Sequence, residues 1–322
     1  MKENRQDLTT GSIWGKMLFF SIPLVLTNLL QVLFNMADIA VIGQFAGSLS
    51  LGAVGSTTTL VTLFTGILIG MAGGINVLVA RFFGAKDKRS TVQTIHTALL
   101  VSLAAGLIVL AFGMIFSKWI LEVMNTKEEL LNGAVLYIRI YFLGMPALAL
   151  YNFGNAVCSA FGDTKKPLYY LAAAGVVNVV LNLFFVIVCK MDVAGVAAAS
   201  IISQYISAFL ILRALAQMGG DYALRLSELK FDKRMAEYII QIGLPAGLQN
   251  GIFQLANLFI QAGVNTFDAT MVAGNSAAAN ADALLYDSMA AFYTACGSFM
   301  GQNYGAGKRD RVRNSYLISL AY

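Results

Sequence analysis

Charge is scarce in this chain of 322 residues. Only 12% of its residues are Asp, Glu, Lys or Arg, against 58% hydrophobic, and its mean hydropathy is +0.70. Soluble domains carry roughly 25% charged residues, so a fully water-exposed surface is excluded. Histidine occurs once, as His96 at one helix end. A single imidazole cannot supply the His/Asp/Ser or metal cluster an intramembrane enzyme needs, so no enzyme is expected. The three cysteines, Cys158, Cys189 and Cys296, lie within or at the ends of apolar runs. They have neither metal-ligand spacing nor a placement suited to a disulfide. No phosphate-binding loop is present, because GAKDKRS at 84–90 lacks Gly-Lys-Ser/Thr. The N-terminus does not read as a cleaved signal peptide, because its apolar run is too long and no small-x-small site follows.

What the chain has in abundance is apolar runs of about 20 residues, the length that crosses a bilayer as a helix. They fall at 17–42, 57–80, 94–117, 134–159, 168–189, 194–217, 238–262 and 276–300, and a ninth begins near Ser315. The runs are continuous rather than alternating, which argues against a membrane β-barrel. The expected class is an all-α polytopic membrane protein.

The net charge is +5 and the pI about 9.0. Of the 22 Lys and Arg, 18 fall in loops on the side of the N-terminus; Lys118, Lys127 and Lys190 lie on the other side, and Arg139 sits within a span. That bias follows the positive-inside rule and predicts a cytoplasmic N-terminus in the cell inner (plasma) membrane. The basicity is explained by topology, so the expected partner is the lipid bilayer and not nucleic acid.

Polar groups inside the spans are few and patterned. Asn28, Gln31, Asn35 and Asp38 recur at spacings of 3, 4 and 3, one face of the first helix. A carboxylate at the centre of a spanning helix costs about 2.5–3.5 kcal/mol on insertion scales. The stripe must therefore face protein or water, as an ion or substrate pathway does. Asp38 reads either as a cation or proton site or as an interfacial carboxylate solvated at the outer helix end. Pro23 removes one backbone bond from the same helix and is a candidate hinge. Asn178 and Asn182, at i and i+4, stack on one face of the fifth span. They could supply oxygens to a cation, or simply hold two helices together. A second stripe, Asn250, Gln254, Asn257 and Gln261, marks the seventh span. Asp287, near mid-membrane in the eighth, could attract a cationic substrate or pair structurally. Arg139 is expected to snorkel.

The chain also repeats itself. IPLVLTNLLQVLFN at 22–35 and LPAGLQNGIFQLAN at 244–257 share Pro23/Pro245, Asn28/Asn250 and Asn35/Asn257, 222 positions apart. FGA at 83–85 and YGA at 304–306 follow at an offset of 221. Six intervening spans give both copies the same orientation, a parallel repeat. Asp38 maps to Ile260, so the second copy lacks the acid. Expected domains are a six-helix lobe at 1–217, a cytoplasmic linker helix at 218–237, and the start of a second lobe at 238–322. On this arithmetic the chain holds one full repeat and part of another, with helices 9–12 lying beyond it.

Several short motifs, in this order, resemble the multidrug and toxic compound extrusion (MATE) family over the whole chain. They are Pro23 with NMADIAVIG, VARFFGAKDK, SAFGDTKKP, NVVLN, GVAAASIIS and FMGQNYGAGKRDR. The resemblance implies two six-helix lobes around a V-shaped cleft, and export of amphipathic, usually cationic, organic compounds in exchange for Na⁺ or H⁺ by alternating access. It implies that Asp38, with Asn178 and Asn182, binds the coupling ion. No other cofactor and a monomer are expected. The rival within the same superfamily is a flippase for a lipid or lipid-linked oligosaccharide, which tends to line its cleft with cations. Here Arg139 is the only cation within a span. A membrane remnant without transport activity is the remaining reading.

Overall fold

The first span, α1 (Ile13–Phe45), runs unbroken through Pro23. A proline inside a helix frees carbonyls of the preceding turn, and here Thr164 Oγ1 donates to the Phe20 carbonyl at 3.0 Å. The candidate hinge thus lies within one continuous helix. The computed structural model describes residues 7–219, 222–264 and 269–322, apart from some side chains between 258 and 284. After α1 come α2 (Gly47–Gly84), α3 (Lys88–Val123), α4 (Glu128–Phe142), α5 (Met145–Ala160), α6 (Lys165–Leu183), α7 (Asp192–Ala216), α8 (Lys233–Val264), α9 (Ala269–Gly305) and α10 (Arg309–Ala321). No strand occurs among the described residues.

By length and composition, α1, α2, α3, α6 with its extension to Val188, and α7 can each cross a membrane. The pair α4 and α5 makes a sixth, bent by 45°. The sequence suggests one straight span at 134–159, but the structure breaks it at Leu143–Gly144. Pro146 supplies the reason: it disfavours helical geometry just before it and is well placed in the first turn of a new helix.

The linker differs from expectation as well. No single helix spans 218–237: a 3-10 turn stands at Leu226–Glu228, and α8 starts only at Lys233. Side-chain docking wins over helix formation here. Tyr222 packs against Phe83 and Phe161 at 5.6 and 5.5 Å between ring centres, and Leu224 is buried. Asp232 then caps α8 by accepting from the Met235 amide at 3.1 Å. The last helix likewise begins earlier than expected, at Arg309.

The repeat is visible in backbone detail. After α2, the amides of Ala85, Lys86 and Asp87 bond to Arg81, Phe83 and Phe82; after α9, those of Ala306, Gly307 and Lys308 bond to Gln302, Tyr304 and Asn303. Lys86 and Gly307 both take left-handed backbone, at φ 58° and 71°. This left-handed helix ending satisfies carbonyls that would otherwise be orphaned.

The two copies meet along α1 and α2 on one side and α8 and α9 on the other. An apolar cluster of Leu8, Met17, Phe20, Leu24, Ala291, Ala295 and Phe299 joins α1 to α9. Between α2 and α8, Gly70 lies over Gly247 and Gly74 over Gly243, backbone on backbone. Small residues permit such close helix approach where lipid offers no hydrophobic drive. A methyl on Gly70 would stand 2.5 Å from the Gly247 Cα, whereas one on Gly55 of the same helix would meet nothing within 4 Å. Overpacking of this kind costs about 1–3 kcal/mol. Gly70→Ala should therefore lower the melting temperature of the purified chain by several degrees, and Gly55→Ala should leave it unchanged; fluorescence-detected unfolding in detergent reads both.

Candidate functional site

Three helices of the first lobe converge on Asp38, and the reason lies in their small and polar faces. Gly175 of α6 offers no side chain where the Phe34 ring of α1 sits against it, so α1 and α6 approach closely. On α7, Ser200, Ser203 and Ser207 follow at spacings of 3 and 4, and all three are buried. Asp38 is only 8% exposed, Asn178 4%, and Asn182 fully buried.

These side chains form a closed ring. Asn182 Nδ2 donates to Asp38 Oδ1 and, at 3.2 Å, to Asn178 Oδ1. Ser200 Oγ donates to Asp38 Oδ2 at 3.1 Å, and Asn178 Nδ2 reaches Ser200 Oγ at 3.5 Å. The carboxylate is therefore held by two donors from two helices. Asn182 Oδ1 is buried without a partner, an oxygen aimed at nothing the protein provides. Just after Asn182, α6 widens into a π-turn at Phe184–Val188. Such turns are frequent at functional sites.

The donor set is one carboxylate with amide and hydroxyl oxygens. Among the described residues no group of three or more His, Cys, Asp or Glu could hold a metal. Hard oxygen donors of this kind suit an alkali cation or a proton better than a soft transition metal. Asp38, Asn178, Asn182 and Ser200 are linked to one another by hydrogen bonds. The three cysteines are free.

Of the residues expected from sequence, Asp38, Asn178 and Asn182 are brought together. Ser200 was not foreseen, although the same stripe reasoning applied to α7 would have singled it out. The rest of the polar stripe parts from Asp38. Asn28 Nδ2 crosses between the lobes to the Asp287 carbonyl at 2.8 Å, and Asn250 Nδ2 donates to the Gly66 carbonyl at 3.2 Å. Gln31 and Gln254 are half-buried, Asn35 and Asn257 exposed, and the Gln261 side chain lies outside the described residues. Asp287 is half-buried in α9 and joins the lobes through its backbone oxygen. Arg139 is exposed, with Nε bonded to Ser117 Oγ at 3.3 Å. Asn28–Asp287 and Asn250–Gly66 are also the described inter-lobe hydrogen bonds furthest from the N-terminal end of the bundle. Beyond them α8 presents exposed Ile252, Phe259 and Ile260.

The ring makes a stability prediction. A hydrogen bond to a charged group contributes about 1.5–3 kcal/mol. Ser200→Ala should destabilise the chain by that order. In an Asp38→Ala/Asn182→Ala double-mutant cycle the two residues should couple by about 0.5–3 kcal/mol. Thermal unfolding in detergent provides the measurement, and additive losses would contradict a shared ring.

Comparison with known proteins agrees with this architecture. A sequence model described as MatE matches residues 23–184 and 245–322, the two copies of the repeat. The "Probable multidrug resistance protein YpnP" of Bacillus subtilis (strain 168) is 31% identical over 312 residues, covering 95% of this chain and 68% of that protein. The "FAD transporter" of Shewanella oneidensis is 25% identical over 326 residues, covering 99% and 72%. Among solved structures, a MOP superfamily transporter from Pyrococcus furiosus superposes with a TM-score of 0.91 at 22% identity, covering 100% of this chain and 71% of that one. A multidrug resistance MATE transporter in an outward-facing conformation gives the same TM-score, identity and coverage. The chain is a multi-pass membrane protein and belongs to the MatE family of transporters.

Proposed function

We propose that this chain is a secondary active multidrug exporter, expelling amphipathic, often cationic, organic compounds in exchange for H⁺ or Na⁺ by alternating access. The observation that carries this reading is a buried carboxylate, Asp38, inside a ring of neutral donors from α6 and α7 of one lobe. Multidrug resistance is what several relatives are named for. The positive-inside bias of the loops supports a cytoplasmic N-terminal end in a cell inner membrane. The inter-lobe hydrogen bonds at that end support reading this arrangement as closed toward the cytoplasm. The working unit is a monomer in the lipid bilayer, and the coupling ion is a co-substrate; no cofactor is needed.

Asp38 as a carboxylate accepts from Asn182 Nδ2 and Ser200 Oγ. A proton turns one of its oxygens into a donor, and Asn182 Oδ1, partnerless here, can accept that hydrogen once the amide turns over. A Na⁺ ion would instead draw on the same carboxylate with the oxygens of Asn178, Asn182 and Ser200. Either event neutralises a buried charge and rewrites the contacts between α1, α6 and α7. It drives transport only if one cleft orientation binds the ion better than the other. Inverting a 1:99 population needs about 5.5 kcal/mol of such preference.

A flippase for a charged lipid carrier is disfavoured, because the single cation within a span, Arg139, is engaged with Ser117 of α3.

The test is dye efflux from vesicles containing the chain, with pH and Na⁺ gradients imposed separately. Asp38→Asn should cut gradient-driven ethidium efflux at least tenfold (about 1.4 kcal/mol or more) while membrane yield stays near normal. The gradient that drives the unaltered chain identifies the ion. Undiminished efflux by Asp38→Asn refutes the site.

A further inference from the structure

Residues 7–12, which precede α1, form no regular structure, yet Leu8 is completely buried. Their backbone is gripped by the opposite lobe. The Leu8 amide donates to Gln302 Oε1 at 3.1 Å, and the Leu8 carbonyl accepts from Asn303 Nδ2 and Arg311 Nη2, both at 3.2 Å. Lys308 Nζ reaches the Thr9 carbonyl at 2.7 Å, and Arg311 Nη1 the Gly11 carbonyl at 2.9 Å. Arg311 is itself steadied by its Nε bond to Asn303 Oδ1 at 3.0 Å. Gln302 Nε2 completes the link by donating to the Ala160 carbonyl of α5 at 2.7 Å.

The grip sits where the lobes touch at the N-terminal end. Deeper in the same contact, Ser298 Oγ of α9 donates to Asn76 Oδ1 of α2 at 3.1 Å, and Asn76 Nδ2 to the Ala156 carbonyl at 3.0 Å. Gln302, Asn303, Asn76 and Ser298 are all at most 3% exposed. The repeat adds an independent observation. Residues 229–232 stand before α8 as 8–11 stand before α1, and they dock on the first lobe's α3, where the Asp232 amide donates to Thr97 Oγ1 at 3.1 Å. Each lobe's entry segment is thus clasped by the third helix of the other. Among the described contacts, an arginine clasps the N-terminal one.

We propose that residues 7–12 are a strap that holds the cleft shut at the N-terminal end, and that Arg311, with Gln302 and Asn303, positions it; the strap must let go before the cleft can open on that side. The proposal rests on the alternating-access reading above. Its chemistry is directional. Apart from the buried Leu8 side chain, the strap offers backbone carbonyls, so the donors that meet them matter greatly. Guanidinium stays charged at any working pH and spans several acceptors at once. Losing it leaves the Leu8 carbonyl with Asn303 alone and the exposed Gly11 carbonyl to water, which removes the charge-assisted part of the grip.

The experiment places a lone cysteine by Ser298→Cys after replacing Cys158, Cys189 and Cys296, and times its labelling by a membrane-impermeant maleimide from the N-terminal side. With the strap intact, labelling should be slow. Arg311→Ala should speed it at least fivefold, and Arg311→Lys should fall between. Unchanged labelling in an Arg311→Ala protein that melts normally overturns the proposal. Should that variant fail to fold, a second protein decides: Thr9→Cys with Lys308→Cys, bridged by a short bis-methanethiosulfonate reagent. Bridging should slow labelling at 298 at least fivefold, and reduction should restore it; no change on bridging also overturns the strap. Labelling needs no transported compound. If dyes fail to move in every variant, the export reading falls while the strap is still judged on its own.

Discussion

A carboxylate cannot be left bare in a protein interior. Removing its water costs several kcal/mol unless donors replace it, and much of the first lobe's design meets that demand around Asp38. Alpha1 must approach α6 closely, which Gly175 allows by leaving room for Phe34. Alpha7 must turn a serine face inward, and α6 must present two amides one turn apart. The charged form is held by neutral donors only, with no lysine or arginine among them. The charge can therefore be cancelled by a small cation or a proton without breaking an ion pair. A permanent partner such as arginine would have fixed the charge and removed the switch.

The second constraint is the duplicated architecture. Two copies that insert with the same orientation meet across an axis along the membrane normal, and the contact between them has to be firm enough to close yet able to part. The structure meets this with materials of different kinds. Glycine-on-glycine contact of α2 with α8 gives close approach without interlocking side chains. The polar bonds from Asn76, Gln302 and Asn303 add direction. All of them lie toward the N-terminal end, while the ring around Asp38 sits in the other half of α1. Helix α1 carries both: Phe20 and Leu24 pack on the second lobe, and Asp38 sits in the first. A change at the ring can thus reach the inter-lobe contact along one continuous helix, which is a physical route for coupling rather than mere proximity.

Much of this was legible from residue spacing. Apolar runs marked the spans, and the i, i+4 spacing put Asn178 and Asn182 on one face of α6, while the family resemblance implied that this face meets Asp38. The offset of 221 pointed to turns that prove alike down to the left-handed residue. What spacing could not supply was partner choice. Asn28 and Asp38 share one broad face of α1, yet the first bonds to α9 and the second to α6 and α7, because the face straddles the border between lobes. The 218–237 segment has helical periodicity, but burial of Tyr222 and Leu224 pulls most of it into an irregular path. The break at Gly144 was written in Pro146 and hidden by the apolar run around it. The triplets Gly66, Gly70, Gly74 and Gly243, Gly247, Gly251 were in plain view as an inter-helix signal. The strap of residues 7–12 was not, since its bonds are made by backbone.

The central claim is that neutralising Asp38 shifts the balance between the two orientations of the lobes. The most direct measurement is the distance between spin labels at Leu49 and Phe259, exposed positions on the two lobes toward the end opposite the N-terminus. The account predicts that acidification or added Na⁺ redistributes that distance in the unaltered chain, and that Asp38→Asn is locked in one distribution under all conditions. An ion-dependent redistribution that persists unchanged in Asp38→Asn would contradict it.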